Sequence, residues 1–462
     1  MADSQLTALE TFLKDYPSIK YTPPSSPDYP SISKVWNLAR QDNPLAIVHP
    51  QSAADVSAVI RYAKSSGIKF TIRTGGHNLQ GRAIAEGALA IDMRALTSVK
   101  VAADRQSATV QGGILQQELA TKLWQEGLAT PTATIPSPGY VGWATYGGYG
   151  PFSARWGLGV DQIISATIVN ANGAIVEADD SLLKGIRGAG GVFGVIVDLA
   201  IKVYPLESIL AGVIVYDSQD ISKTLTQFNA AYQKLLSDGV PLQLTIQQMA
   251  FNAPQGRMFA VSFMWSSDDI EQGQRWCEKI AALGPALMNT VALTTVPDWL
   301  AGNGALVPLS VYGSSRTHNL HQMTPDVVEI IGRNLAKMPS DPATMFSIHQ
   351  LRGPSAAPNN ESVFAAREPH FMLEILGYAT AEEDRKGSEQ WAVDLWSEVQ
   401  QLDAGNVLPS AYIPLDFLEE PRQPGALSRL FRSHGQEILA LKKKYDPENV
   451  FDLTVPRLKY YW

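Results

Sequence analysis

Arg73-Thr74-Gly75-Gly76-His77-Asn78, set after the strand-like run Lys69-Phe70-Thr71-Ile72, is the stretch on which the reading of this fold turns. Two adjacent glycines let backbone approach a neighbour closely, or take positive φ, where a side chain would clash. An imidazole flanked by an amide follows at once, and then a second strand pattern, Leu89-Ala90-Ile91-Asp92-Met93. A histidine held on a glycine turn between two buried strands is placed to meet a cofactor. The same six residues read equally well as a tight turn with a hydrogen-bonded histidine.

Upstream, Leu45-Ala46-Ile47-Val48 reads as a strand that His49-Pro50 ends. Ser52 then caps a helix, with Asp55 at its third position and the apolar stripe Val56, Val59, Ile60 and Ala63. Gly67 closes that helix and Ile68 to Ile72 begins the next strand, so a β-α-β unit carries the glycine–histidine turn at its end. Further strands are expected at Ala108 to Gln111, Ile163 to Asn170 and Val195 to Val203. The second of these leads into Asn172-Gly173, a type I′ hairpin signal. From about residue 206 the texture changes. Longer alternating strands (Leu242 to Met249, Met258 to Trp265, Phe371 to Tyr378) interleave with amphipathic helices such as Ile270 to Leu283 and Asp326 to Met338. That pattern is an α+β region built on an antiparallel sheet. Leu427 to Tyr445 reads as a helix, and Arg352 to Asn360 as an exposed loop.

Bulk properties narrow the function classes. An apolar content of 45% and a charged content of 18% describe an ordinary globular protein, and 462 residues suffice for two domains. A net charge of -8 leaves no electrostatic footprint for nucleic acid. The single cysteine, Cys277, excludes an internal disulfide framework and a cysteine-rich metal site. The start Met1-Ala2-Asp3-Ser4-Gln5 lacks a basic and an apolar signal region, and no apolar run nears the ~20 residues needed to span a bilayer. A soluble, cytoplasmic protein without membrane or nucleic-acid partners is the expectation; the oligomeric state is left open.

Two more glycine clusters follow. Gly147-Gly148-Tyr149-Gly150, preceded by Pro136-Ser137-Pro138-Gly139-Tyr140-Val141-Gly142, can point backbone N–H groups into a concavity that binds pyrophosphate, or can be a run of turns. Arg187-Gly188-Ala189-Gly190-Gly191-Val192-Phe193-Gly194 fails as a Rossmann fingerprint: G-x-G-x-x-G needs glycine where Phe193 stands, and no clean strand precedes it. His370, Met372 and Glu374 share strand parity, with His349 near another strand pattern; that face can line a pocket or only pack a sheet. His318 and His321 have the spacing of two metal ligands on a helix, but with no third ligand nearby they read as surface residues. No metal is expected.

Together these pieces resemble the FAD-linked oxidases of the vanillyl-alcohol oxidase and p-cresol methylhydroxylase superfamily, in its berberine-bridge-enzyme-like branch. The resemblance spans nearly the whole chain. It rests on Arg73 to Asn78 with Ile91-Asp92, on Gly147-Gly148-Tyr149-Gly150 with Trp156-Gly157-Leu158 and Asp161, on Arg187-Gly188 through Phe193-Gly194, and on Tyr445-Asp446-Pro447-Glu448-Asn449-Val450-Phe451. It implies an α+β protein with a two-part FAD-binding domain of the p-cresol methylhydroxylase type formed by both chain ends (1–205 and 408–462). A central α+β substrate domain with an antiparallel sheet (206–407) lies between them. It further implies FAD bonded through its 8α-methyl to His77. Arg73, Thr74, Gly75, Gly76, Asn78, Gly81, Gly139, Gly142, Gly147, Gly148, Gly150 and Val195 are its implied cofactor contacts.

Departures from the family pattern carry information as well. Many members have a second flavin-linking cysteine, and Ile135 occupies that position here, so one covalent link is expected. The family's Y-x-N-Y keeps its tyrosine but loses its asparagine in Tyr412-Ile413-Pro414-Leu415. Thr454 replaces another asparagine, and Leu183-Lys184 stands where Phe-Trp is common. The resulting expectation is hydride transfer from a small organic substrate to flavin N5, with O2 as the second substrate and hydrogen peroxide as its product. Tyr412 is the leading acid/base candidate, ahead of Glu374 and His370. The alternative is a flavin-bearing cyclase or pericyclase of secondary metabolism on the same fold.

Overall fold

The computed structural model describes residues 2–402, 404–412 and 426–462. Its first sheet has four strands, in the order Lys20–Thr22, Ala46–His49, Leu89–Asp92, Phe70–Arg73. The β-α-β unit is present: Ser52 Oγ accepts from Asp55 N at 3.1 Å, and Gly67 ends the helix Ala53–Ser65 at φ 64°. Asp55 returns the capping bond one residue early, to Gln51 N at 2.9 Å. Leu89–Asp92 inserts between the two strands of the unit and pairs parallel with both. The glycine–histidine turn therefore leaves the edge of a parallel sheet.

A second, antiparallel sheet runs Val99–Val101, Ser107–Gln111, Val195–Lys202, Ile163–Val169, Ile175–Glu177. Its hairpin at Asn172-Gly173 is not type I′. Only Gly173 has positive φ (73°), and Gly173 N and Ala174 O close on Asn170. A three-residue loop of this kind, with glycine at the left-handed position, needs φ > 0 once, whereas type I′ needs it twice.

The third sheet has nine strands between Ile209–Tyr216 and Val407–Leu408, and every pairing in it is antiparallel. Strand His370–Ala379 shows how it is covered. Phe371, Leu373 and Ile375 enter an apolar core with residues of the helices Ile221–Ser237, Pro325–Leu335 and Arg385–Gln400. His370, Met372 and Glu374 point to the opposite face, as strand alternation requires. Met372 there joins Tyr149, Leu158, Phe364 and Tyr412, residues drawn from well outside the sheet.

Three further expectations are corrected. The helix from Leu427 is broken at Arg432 (φ 47°) into Ala426–Phe431 and Gly435–Tyr445. The loop 352–360 is not uniformly exposed, since Ser355 and Ala356 are buried and Arg352 is held by the carbonyls of Val240, Pro241 and Leu244. His318 is buried on the strand Tyr312–Leu320, stacked on Trp396 at 4.9 Å with Nε2 on the Trp396 carbonyl; His321 is exposed, as expected. Among the described residues no helix is long and apolar enough to cross a membrane, and no group of three or more potential metal ligands occurs.

The C-terminal segment is pinned by one buried ion pair. Lys442 Nζ lies 2.6 Å from Asp446 Oδ2 and 2.6 Å from the Val192 carbonyl. Asp446 also accepts from Val450 N and Phe451 N, which turns Phe451 edge-on to Phe70 of the first sheet. Removing one partner strands the other charge in the core. Lys442→Ala is expected to cost about 3–5 kcal/mol in a urea titration, whereas Lys459→Ala, at an exposed site, costs under about 1 kcal/mol.

Candidate active site at the glycine turns

Gly75 makes the first essential contact. A Cβ there would lie 2.5 Å from the Ser137 carbonyl and 2.6 Å from Gly139 N, while one on Gly139 would strike the Thr74 side chain. Gly76 supplies the positive φ (71°) that bends the chain out of the strand. Backbone N–H groups become available as a result. Those of Thr74 to Leu79 donate to no acceptor among the described residues, nor do those of Gly139, Val141 and Gly142 facing them. A Cβ added to Gly142 would meet nothing, so the space beside it is open. Two runs of undonated N–H groups that meet at the Gly75–Gly139 contact offer donors to an anionic group such as a pyrophosphate. The residues present fit FAD on that ground.

The predicted contact residues divide by role. Arg73 is buried and folds back against the turn, its Nε 3.5 Å from where a Gly76 Cβ would stand, with Nη2 2.6 Å from the Lys34 carbonyl and Nη1 3.7 Å from Asp92. Asn78 Oδ1 closes its own loop by accepting from Gln80 N and Arg82 N. Gly81 (φ 75°) lets that loop press on Arg40. Val195 pairs with Val169 and its side chain lies in the core, so only its main chain can face a ligand. Ile135, where a second tether would stand, is half-buried.

His77 is not the hydrogen-bonded turn histidine. Its ring stacks on Trp36 at 5.3 Å and receives no hydrogen bond among the described residues. Burial lowers its pKa to about 4, which leaves a neutral imidazole at neutral pH. Trp36 in turn meets Tyr378 edge-on at 5.2 Å and donates to the Pro308 carbonyl, linking His77 to the large sheet.

The second glycine turn meets the predicted acid/base residues Tyr412 and His370. The Tyr412 hydroxyl accepts from Gly148 N at 3.3 Å and Tyr149 N at 3.5 Å, and its ring lies 4.5 Å from that of Tyr149. Gly147 (φ 127°) is required because a Cβ would meet Phe364 at 2.6 Å and Tyr412 at 2.9 Å. Tyr149 Oη is 3.1 Å from His370 Nε2. His370 Nδ1 donates to the Glu368 carbonyl at 2.6 Å, which leaves Nε2 as the acceptor and Tyr149 as the donor. Burial raises both tyrosines above the ordinary phenol value and lowers His370 to about 4.

Glu374 meets His349 Nε2 at 3.1 Å and the Ser347 hydroxyl, from the neighbouring strand. Burial alone would raise its carboxyl, but His349 and Ser347 hold it below the usual range, so it is a carboxylate. Sequence reading flagged His349 only as lying near a strand; the register that sets Ser347 opposite Glu374 supplies the pairing. In the sequence Tyr149 stands only as a member of a glycine cluster, with no signal of its own. Thr454 does not enter this site, because its hydroxyl donates to the Phe451 carbonyl. Ile413, Pro414 and Leu415 lie outside the described residues.

The buried histidines make an acid-side prediction. His318 and His370 both sit near 4 in the fold against an ordinary 6.5, so the unfolded chain binds more protons between those values. Their contribution to stability is complete above about 6.5 and is lost as pH falls toward 4, at roughly 1.4 kcal/mol per pH unit per histidine. Urea midpoints measured across that window are expected to fall, and His318→Gln and His370→Gln are each expected to flatten the slope.

Against known proteins, residues 44–179 match the model of an FAD binding domain. The chain is 31% identical over 456 residues to the FAD-linked oxidoreductase aurO of Gibberella zeae, covering 98% of this chain and 88% of that one. A crystal structure of 6-hydroxy-D-nicotine oxidase from Arthrobacter nicotinovorans superposes with TM-score 0.81 at 21% identity, over 95% of this chain and 97% of that one. A glucooligosaccharide oxidase from Acremonium strictum, described as carrying a 6-S-cysteinyl, 8α-N1-histidyl FAD, gives TM-score 0.81 at 17% identity over 97% of each chain.

Proposed function

The chain belongs to the FAD-linked oxidoreductases, and from that premise we propose that it is an oxidase of a small organic substrate of secondary-metabolite type, with FAD tethered through His77 alone. FAD, when bound, supplies a two-electron acceptor that takes hydride from the substrate and returns its electrons to O2, giving hydrogen peroxide. Residues 1–205 and 408–462 would form the FAD-binding domain, and 206–407 the substrate domain. The N–H groups of Thr74 to Leu79 and of Gly139, Val141 and Gly142 would hold the pyrophosphate. His77 is neutral and free of hydrogen bonds among the described residues, the state a tethering imidazole needs, and Ile135 offers no thiol for a second bond.

The observation that carries this reading is the buried set in which Tyr149 of the second glycine turn meets Tyr412 and His370, beside the pair Glu374–His349 on the large sheet. Pockets form preferentially at such junctions. Tyr149 hands its hydroxyl hydrogen bond to His370, which gives a phenol proton somewhere to go. Burial keeps the Tyr412 phenol protonated, the two backbone N–H groups on its oxygen offsetting this only in part, so its hydroxyl serves to donate a proton or to orient the substrate. Glu374 keeps a fixed negative charge and orients His349.

Acid precipitation of the flavin-loaded protein tests the tether. Yellow colour is expected in the pellet for the wild type and in the supernatant for His77→Ala; free flavin from the wild type would remove the claim. Tyr412→Phe is expected to lower turnover by about 100-fold or more through loss of acid/base catalysis.

One observation favours the cyclase as a second reading. Tyr149–His370 and Glu374–His349 are complete acid/base pairs among protein groups, and proton transfer between them and a substrate requires no electron acceptor. Anaerobic mixing with substrate separates the two: flavin bleaching marks an oxidase, and product without bleaching marks a cyclase.

A further inference from the structure

Asp161 belongs to a motif whose role the site above does not use. It lies in the short helix Gly159–Gln162 and is 15% exposed. Its carboxylate accepts two bonds from Arg367, at 2.9 and 2.8 Å, and one from Asn359 Nδ2 at 3.0 Å. A fourth comes from its own loop, Leu158 N at 2.8 Å. Arg367 and Asn359 stand some 200 residues away in sequence, on the segment that runs from the large sheet back to strand His370–Ala379.

Both sides of this ion pair lead to the second glycine turn. On the Asp161 side, Gly159 N and Val160 N donate at 3.0 Å to the carbonyls of Gly148 and Gly147. On the Arg367 side, the guanidinium lies 5.4 Å above the ring of Phe364, and that ring presses on Gly147 and faces Tyr149 at 6.1 Å. Val363 N and the Ser362 hydroxyl also bond the Arg187 carbonyl, so the segment is anchored on its other flank. The turn is clamped between a loop that holds its carbonyls and a ring that closes its Cα face. Its N–H groups are left aimed at the Tyr412 oxygen.

We infer that Asp161 and Arg367 are positioning residues, whose ion pair clamps the turn 147–150 and thereby sets the Tyr412 and Tyr149 hydroxyls in place. Neither side chain bonds either hydroxyl. The inference rests on the reading of those tyrosines as the acid/base groups, and it makes a separate claim about what holds them. A pair with two parallel N–H···O bonds constrains orientation as well as distance, which a lysine in place of Arg367 reproduces only in part.

The test is a double-mutant cycle in the full-length protein, with Arg367→Gln, Tyr412→Phe and their combination, followed by urea unfolding. If the pair positions the Tyr412 hydroxyl, removing that hydroxyl costs less once the pair is broken, a non-additivity of about three- to tenfold in the unfolding constant. Additive effects overturn the inference, because a merely structural ion pair would not sense a hydroxyl it does not touch. Visible circular dichroism of the flavin-loaded protein is the second measurement. Tyr412→Phe, Arg367→Gln and Asp161→Asn are expected to alter the flavin band alike, with Arg367→Lys intermediate. A band altered by Tyr412→Phe but untouched by Arg367→Gln also overturns the inference. If Tyr412→Phe leaves the band unchanged, the placement of Tyr412 beside the cofactor fails, and the cycle still decides the clamp.

Discussion

Close approach of two backbones, at Gly75 against Ser137 and Gly139, is the constraint on which the rest of the structure depends. No side chain larger than hydrogen fits at either glycine, since a Cβ would stand within about 2.5 Å of a carbonyl or of Thr74. The contact brings the end of a parallel strand against the start of the helix Tyr140–Ala144, with N–H groups on both sides that have no acceptor among the described residues. Undonated N–H groups are costly when buried unless a ligand takes them. A ligand bound at this point would couple its binding to the folding of the chain.

Electrostatics around the candidate site follow from burial more than from charge. His77 and His370 are neutral because low-dielectric surroundings disfavour the imidazolium, and the tyrosines are protonated for the same reason. Glu374 runs against the trend: His349 and Ser347 outweigh its burial and keep it ionised. The site thus combines neutral groups able to exchange protons with one fixed negative charge. Its shape is held from outside by Asp161 and Arg367, and its floor is glycine backbone.

Much of this was legible in the residues. The capped helix from Ser52 and the parity of His370, Met372 and Glu374 follow from local spacing, which neighbouring elements do not alter. The three failures have a shared physical origin. At each of them the chain meets residues far away in sequence: Arg432 bonds Glu368 and the Ala365 carbonyl, Arg352 beside Ser355 bonds the carbonyls of Val240, Pro241 and Leu244, and His318 stacks on Trp396. Periodicity along one segment carries no information about what a remote segment presses onto it. The hairpin at Asn172-Gly173 differs in kind, since one dipeptide serves two turn types and only the pairing register chooses between them.

By itself the sequence determined most of the elements that form, that a histidine follows two adjacent glycines at the end of a strand, and that isoleucine, without a thiol, stands at position 135. Those are properties of single residues and short spacings. Tertiary structure alone decided that Glu374 meets His349 and that Tyr149 donates to His370. It also decided that Asp161 reaches across some 200 residues to Arg367. Each of these pairs depends on strand register or on two distant loops meeting. Hydrogen bonds act over about 3 Å, so which groups pair is settled only once the chain has closed.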